Sequence, residues 1–277
     1  MRSVVPSHGV RIPLVVAGLT LLAALLSTWL VQRIGNGMRE ELLQSARLVT
    51  QALEANQVDS LSFTSSDEAL PEFQNLNRRM KELVSSLRLS WVSSHNCVSI
   101  YSLKQRDNTL YFGPESIPPN DPAASPPGTP YLNPPPELLD VFTTCEPITV
   151  SPFTDEYGIF VSAFVPLLPS QPGRPPTVIG LDVQVHDWKW SLAARAAMPI
   201  GLIWAMWVLC MIGLAVHSQS SAHTRPVMGH LLLPLAAVLS LMLLGAGGLL
   251  LKLYRTFLND QVLSGETTMN DEIQANL

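Results

Sequence analysis

The chain predicts an α+β fold, a five-stranded antiparallel sheet with a long N-terminal helix, carried on three transmembrane α-helices. Three observations lead there. The 277 residues include three charge-free stretches, Ile12 to Gln32, Ala196 to Val216 and Leu231 to Leu251, each 21 residues long. Charged residues make up only 14% of the chain, against roughly 25% in an ordinary globular domain. Between the first two stretches, helical periodicity gives way to short β-favouring runs separated by turn residues.

Taken in order, Arg2 and Arg11 precede the first stretch, as they would in a secretory signal. Its length exceeds the ~7–15 residues of a signal core, and Ser27 to Arg33 offers no A-x-A cleavage site, so it reads as an uncleaved anchor. A helix of this length rises about 31 Å, enough to cross a hydrocarbon core of ~30 Å. The segments are therefore 1–11, a first span 12–32, a domain 33–195, a second span 196–216, a loop 217–230, a third span 231–251 and a tail 252–277. The second and third spans form a helical hairpin. Pro234 inside the third is tolerable where neighbouring helices satisfy the freed carbonyl. Lys and Arg counts on either side do not decide the orientation.

Within 33–195, Leu42, Ala46, Val49 and Leu53 recur at helical spacing over Met38 to Val58, and Phe73, Leu76, Met80, Leu83 and Leu87 repeat the pattern after Pro71. Val98 to Leu103 and Thr109 to Phe112 read as a hairpin around Gln105 to Asn108. Pro114 to Pro136 holds ten prolines, which neither a helix interior nor a central strand accepts. The apolar anchors Tyr131, Leu132, Leu138, Leu139, Val141 and Phe142 make it an ordered loop ending in a short helix. Ile148 to Ser151, Ile159 to Leu167 and Thr177 to Val185 complete the five strands. In the last, Ile179, Leu181, Val183 and Val185 alternate with Gly180, Asp182 and Gln184. This strand continues through His186 to Arg195 into the second span.

Charge and cysteine content exclude other classes. Of the 17 Lys and Arg, 12 lie between Arg33 and Arg195 together with 18 of the 22 Asp and Glu. A surface that acidic does not bind nucleic acid, which needs a concentrated basic patch. Three cysteines make neither a disulfide-dense scaffold nor a CxxC metal site. His95 near Cys97 lacks a second ligand pair, so no metal or other cofactor is expected. His217, His223 and His230 read as solvated loop residues, and Trp188 and Trp190 as interfacial anchors of the second span.

Three segments carry a family resemblance. Ser125-Pro126-Pro127-Gly128-Thr129-Pro130-Tyr131, Thr154-Asp155-Glu156-Tyr157-Gly158-Ile159-Phe160-Val161-Ser162, and Gly180-Leu181-Asp182 with Asp187-Trp188 stand in register with two membrane spans. Over residues 38–190 they resemble the extracytoplasmic PAS-like (Cache-type) sensor region of bacterial receptors such as sensor histidine kinases and diguanylate cyclases. The resemblance implies an N-inside orientation in the bacterial inner membrane, with 33–195 periplasmic and 217–230 cytoplasmic. It also implies a long helix packed on one sheet face and a small-molecule pocket on the other. Cys145, where relatives often carry glycine, and the proline-rich loop Pro169 to Pro176 depart from the pattern.

The expected ligand-binding residues are Asp182, Asp155, Tyr157, Ser162, Tyr131 and Tyr101. A carboxylate at Asp182, opposite the apolar stripe, can hold an amine or a hydroxyl; the alternative is a carboxylate satisfied by backbone N–H groups. Asp155 sits where Asp commonly organises its own turn, and Gly158 supplies the permissive backbone beside it. The tyrosines offer an apolar face and a hydroxyl, or are core aromatics. Ser162 offers a hydroxyl between Phe160 and Phe164. Cys97 and Cys145 could pair in an oxidising periplasm or remain buried thiols.

No catalytic output module is read from the sequence, and no enzyme activity is expected. The chain reads as a receptor front end, cut short at 252–277 or passing its signal to a separate cytoplasmic effector. Its expected partners are a small-molecule ligand, the lipid bilayer, a second copy of itself, and that effector or a missing kinase or cyclase domain. The rival reading is a membrane-anchored scaffold whose domain binds another envelope protein; that reading requires a filled core and an exposed apolar patch.

Overall fold

The computed structural model describes residues 11–87, 89–90, 98–168 and 175–220. The chain divides into two compact units, Ser27–Ile200 and a second made of Met1–Leu26 with Gly201–Leu277. The elements in order are α1 (Arg11–Ala52), α2 (Ala55–Ser60), α3 (Pro71–Ser86), β1 (Val98–Arg106), β2 (Thr109–Glu115), α4 (Pro136–Thr144), β3 (Ile148–Asp155), β4 (Gly158–Pro166), β5 (Val178–Gln184) and α5 (Val185–Ser220).

The five expected strands form one antiparallel sheet of order β2-β1-β5-β4-β3. Asp107 and Asn108, at φ 49° and 63°, make the β1–β2 turn; residues that tolerate positive φ are what a two-residue hairpin turn needs. The Glu156-Tyr157 turn closes β3 onto β4 with Asp155 opposite Gly158, whose φ is 146°. The proline loop is ordered, as expected. It lays Gly128 to Tyr131 along the outer edge of β2, with Phe112 and Tyr131 donating their N–H groups to Thr129 and Leu110 and Gly128 donating to Phe112. That covers the otherwise unpaired groups of an edge strand.

Alternation splits the sheet into two faces. Val161, Ala163, Val165, Ile179, Leu181, Val183, Val98 and Ile100 join Met38, Leu42, Ala46 and Val49 of α1 and Phe73, Leu76 and Met80 of α3 in one apolar core. Tyr101, Leu103, Phe112, Tyr131, Val150, Phe164 and Val178 pack on the other face with Leu138, Val141 and Phe142 of α4.

Three expectations are corrected. The amphipathic helix expected over Met38 to Val58 is not separate from the first apolar stretch: α1 is one helix of 42 residues that stops at Ala52. No proline interrupts Gln32 to Met38, and Gly35 and Gly37 cost a helix only about 1 kcal/mol each. The last strand does not run on to Arg195; it ends at Gln184 and α5 starts at the next residue. Trp188 is not an interfacial anchor, being 3% exposed in the helix-side core. The Arg39 guanidinium of α1 lies 5.9 Å from its ring centroid. Nearby, Glu41 of α1 accepts the backbone N–H and the hydroxyl of Ser90 at 2.6 and 2.8 Å, and Arg195 of α5 donates to the same Ser90 hydroxyl.

Among the described residues, two helices are long and apolar enough to cross a membrane, Pro13–Ala52 and Val185–Leu214. In the second unit Ala23, Trp207 and Met211 pack together, and Trp207 Nε1 donates to Thr20 Oγ1 at 3.2 Å. The expected third span, 231–251, lies outside the described residues.

Candidate ligand-binding site

On the sheet face away from α1 lies a cavity of about 650 Å³, whose edge reaches Lys81, Val84 and Ser85 of α3; its size is within the range of small-molecule sites. Asp182 of β5 and Tyr101 of β1 form its floor. The register pairs Tyr101 with Gly180 and Ser99 with Asp182. The Tyr101 ring lies directly over Gly180, where a Cβ would stand 2.5 Å from the Tyr101 Cζ. Only glycine permits this approach, and it lets Tyr101 donate its hydroxyl to Asp182 Oδ1 at 3.0 Å. Burial pushes the Asp182 carboxyl up to about 7, and the nearby charge of Asp155 adds to the rise. The Ser162 hydroxyl and Tyr101 oppose it. Ser162, opposite Asp182 across the β4–β5 pair, is fully buried, and its Oγ makes no hydrogen bond of good geometry.

The far wall is the β3–β4 turn. Asp155 Oδ1 accepts the backbone N–H groups of Tyr157 and Gly158 at 2.9 and 3.1 Å, and its Oδ2 accepts the Tyr131 hydroxyl at 2.7 Å. Asp155 thus organises its turn and also faces the cavity. Burial raises its pKa, against the lowering effect of those donors. Glu156, exposed, holds the backbone N–H groups of Leu132 and Asn133 and fixes the loop that delivers Tyr131.

Five aromatic rings line the space, those of Tyr101, Phe112, Tyr131, Tyr157 and Phe160. Phe112 is the hub, with ring centroids of Tyr101, Tyr131 and Tyr157 at 5.5, 5.1 and 5.7 Å. Burial raises the pKa of all three tyrosines, so each keeps its hydroxyl proton. At the rim, Glu115 Oε1 accepts the Ser125 N–H at 2.7 Å, and the Ser125 hydroxyl hydrogen-bonds Tyr157 Oη at 2.8 Å. Burial pushes Glu115 up to about 8; the Ser125 N–H opposes the rise and the Asp121 charge adds to it. Lys81 of α3 stands at the exposed edge.

Five of the six residues expected from sequence, Asp182, Asp155, Tyr157, Tyr131 and Tyr101, line this one cavity. The sixth, Ser162, lies beneath it next to Asp182. Phe112, Glu115 and Ser125 were not anticipated. Phe112 was visible as an apolar residue in a β run and Ser125 opens a quoted motif, but nothing local marks Glu115. It reaches the pocket face because one extra residue enters β2 between the Leu103–Phe112 and Tyr101–Glu115 pairs. Gly113, within this bulge, packs so closely on Phe63 that a Cβ would lie 2.3 Å from its ring. Cys145 carries a free thiol and takes φ 57° at the end of α4; its expected partner Cys97 lies outside the described residues. A second hollow of about 570 Å³, between Asn133, Pro135 and Phe153, has as its one ionisable lining group the exposed Glu137.

No family model matches this sequence, and no curated protein matches it. Similar solved structures exist. One is the ligand-binding domain of the Campylobacter jejuni chemoreceptor Tlp3 in complex with L-valine, at 13% identity and a TM-score of 0.38, covering 65% of this chain and 67% of that one. The sensory domain of the same receptor with isoleucine bound gives 13% identity and a TM-score of 0.36 over the same shares. A methyl-accepting chemotaxis protein X gives 14% identity and a TM-score of 0.34, covering 66% of this chain and 65% of that one.

Proposed function

We propose that the chain is the sensory input part of a bacterial membrane receptor, binding a small extracytoplasmic ligand between the sheet and the proline loop. One observation carries the reading: Asp182, on the cavity floor, lies two residues before β5 ends, and α5 begins at the following residue with no intervening loop. A ligand with different affinity for two positions of Asp182 would bias the start of α5, whereas one that binds both equally would shift nothing. Trp188 against Arg39, and Arg195 and Glu41 meeting at Ser90, give that bias a physical route to α1. The cavity favours this reading over a scaffold, which called for a filled core.

The test is titration calorimetry on the full chain in lipid nanodiscs against amino acids, amines and carboxylates, with hydrogen exchange at residues 178–195 as the second readout. Saturable binding that slows exchange at 178–195 and is lost in Asp182→Ala is the expected result. Binding without any change in that exchange would remove the signalling role, and the absence of any saturable ligand would remove the sensory reading.

A further inference from the structure

The proline loop is held unevenly along its length. Its start is tied to the sheet: Ser116 donates its N–H to the Ile100 carbonyl at 2.7 Å, and its hydroxyl accepts the Ile100 N–H at 2.9 Å. From Gly128 onward it is tied again, by backbone bonds with Phe112 and Leu110. Between these anchors, among the described residues, 117–124 hydrogen-bond only with one another. The Asp121 N–H donates to the Pro118 carbonyl, and Asp121 accepts the Ala124 N–H on its carbonyl and the Ala123 N–H on its carboxylate. Pro118, Asp121 and Ala123 line the cavity on one side and meet solvent on the other. A segment with no bonds to the rest of the fold opens at a lower free energy than the sheet beside it.

Ser125 is what keeps that segment down. Its N–H donates to Glu115 Oε1 at 2.7 Å and its hydroxyl donates to Tyr157 Oη at 2.8 Å. Both acceptors are themselves fixed from behind. Glu115 donates its own N–H to Asn77 Oδ1 of α3 at 3.0 Å, and Phe63 packs against Gly113 in the bulge that turns Glu115 toward the cavity. Tyr157 is set by the β3–β4 turn, with its N–H on Asp155 and its ring against Phe112. Residues 118–123 are exposed, whereas Ser125 and Glu115 are buried. The two bonds therefore lie largely out of water, where a hydrogen bond is electrostatically stronger.

We infer that residues 117–124 are a lid over the cavity, and that Glu115 from β2 and Tyr157 from the β3–β4 turn are the positioning residues that latch it through Ser125. The anchors at Ser116 and Gly128 confine the motion to the segment between them, so the lid lifts without parting any strand pair. The latch sets how fast the interior exchanges with solvent; it does not choose the ligand. In taking the interior as a ligand site, the inference rests on the sensory reading above.

The lid can be tested without a ligand. Ser99 lies on the cavity wall opposite Asp182 in the β1–β5 pair, so the thiol of Ser99→Cys reports access to the interior. The full chain carrying it, with Cys97 and Cys210 replaced by serine and Cys145 kept as a control outside the cavity, is reacted in nanodiscs with methyl methanethiosulfonate. Peptide mass spectrometry follows the two thiols separately. Glu115→Leu and Tyr157→Phe should each speed labelling at position 99, and amide exchange at 117–125, roughly three- to tenfold, the usual worth of one hydrogen bond. Ser125→Ala, which removes only the hydroxyl, should match Tyr157→Phe. Glu115→Gln, which keeps an acceptor at the same reach, should stay close to the parent rate, and Cys145 should react at the parent rate throughout. Unchanged labelling in Tyr157→Phe and Ser125→Ala would overturn the inference even if Glu115→Leu does not fold. So would Glu115→Gln as fast as Glu115→Leu, or an equal acceleration at Cys145, which marks loosening of the whole domain. Failure of this test leaves the sensory reading standing, whereas failure of the calorimetry would remove that reading with the latch intact.

Discussion

The two faces of the sheet come from the same five strands and are built to different rules. Toward α1 and α3, β4 and β5 present Val161, Ala163, Val165, Ile179, Leu181 and Val183, all apolar and all buried. On the other face the intervening positions of the same strands include the buried apolar Phe164 and Val178 toward α4, and Phe160, Ser162, Gly180, Asp182 and Gln184 at and around the cavity. On the first face β4 and β5 bring no polar side chain, and the buried Ser102 of β1 is satisfied by donating to the Pro114 carbonyl. The second keeps a carboxylate, a hydroxyl and a glycine in the middle of a sheet, where glycine costs strand stability and a buried polar group costs more. A sheet that needed only to fold has no use for them, and the proposed ligand site lies on the side that carries them.

The contrast can be broken most forcefully from the helix side. Leu181→Ala removes a fully buried side chain between the sheet and the helices, and should cost about 2–5 kcal/mol in thermal or chemical unfolding. On the cavity side, Gly180→Ala forces the Tyr101 ring off the sheet. It should cost about 1–3 kcal/mol, and removal of the Tyr101 hydroxyl by Tyr101→Phe in that background should cost almost nothing more, because the bond to Asp182 is already lost.

Acidity sharpens the difference. The pKa values of Asp182 and Glu115 rise on folding, to about 7 and about 8, from ordinary carboxyl values. The folded state therefore binds more protons than the unfolded state over this interval. The stability these groups contribute is complete below about pH 4 and is lost as pH rises through 7 and then 8, with a slope of up to about 1.4 kcal/mol per pH unit for each group. Melting temperature measured from pH 5 to 8.5 should fall in the wild type, and the fall should flatten in Asp182→Asn with Glu115→Gln. An unchanged profile in that double variant would place the titration elsewhere. The smallest effect is expected at the end of α4, where Cys145 holds φ 57°. Cys145→Gly should stabilise by about 1 kcal/mol by removing the left-handed strain.

The helix face was legible because its information is periodic. Ile179, Leu181 and Val183 alternate in the sequence as they do in space, and Leu42, Ala46 and Val49 repeat every turn. Asp182 was legible as the polar interruption of that alternation. Glu115 was hidden because a one-residue bulge in β2 inverts the rule that assigns it a face. Trp188 was misread for another reason. A tryptophan just before an apolar stretch has the composition of a membrane-interface residue, and its burial comes from the apolar core it shares with α1, whose Arg39 at its ring is 149 positions away in the chain. Continuity of α1 was missed because the first span was ended where the charge-free stretch stops at Gln32, whereas the helix runs on through Arg33 into the packed turns of Met38 and Leu42.

The direct passage from Gln184 to Val185 makes the cavity floor and the following helix share one rotational phase. A strand repeats every two residues and an α-helix turns about 100° with each residue. One alanine inserted after Gln184 would leave Asp182 where it is and swing every later side chain of α5 around the helix axis by about that angle, whereas an insertion of seven would return them almost to their starting bearing. Ligand capture is thus expected to survive any such insertion, while the output would rise and fall with insertion length on a helical clock.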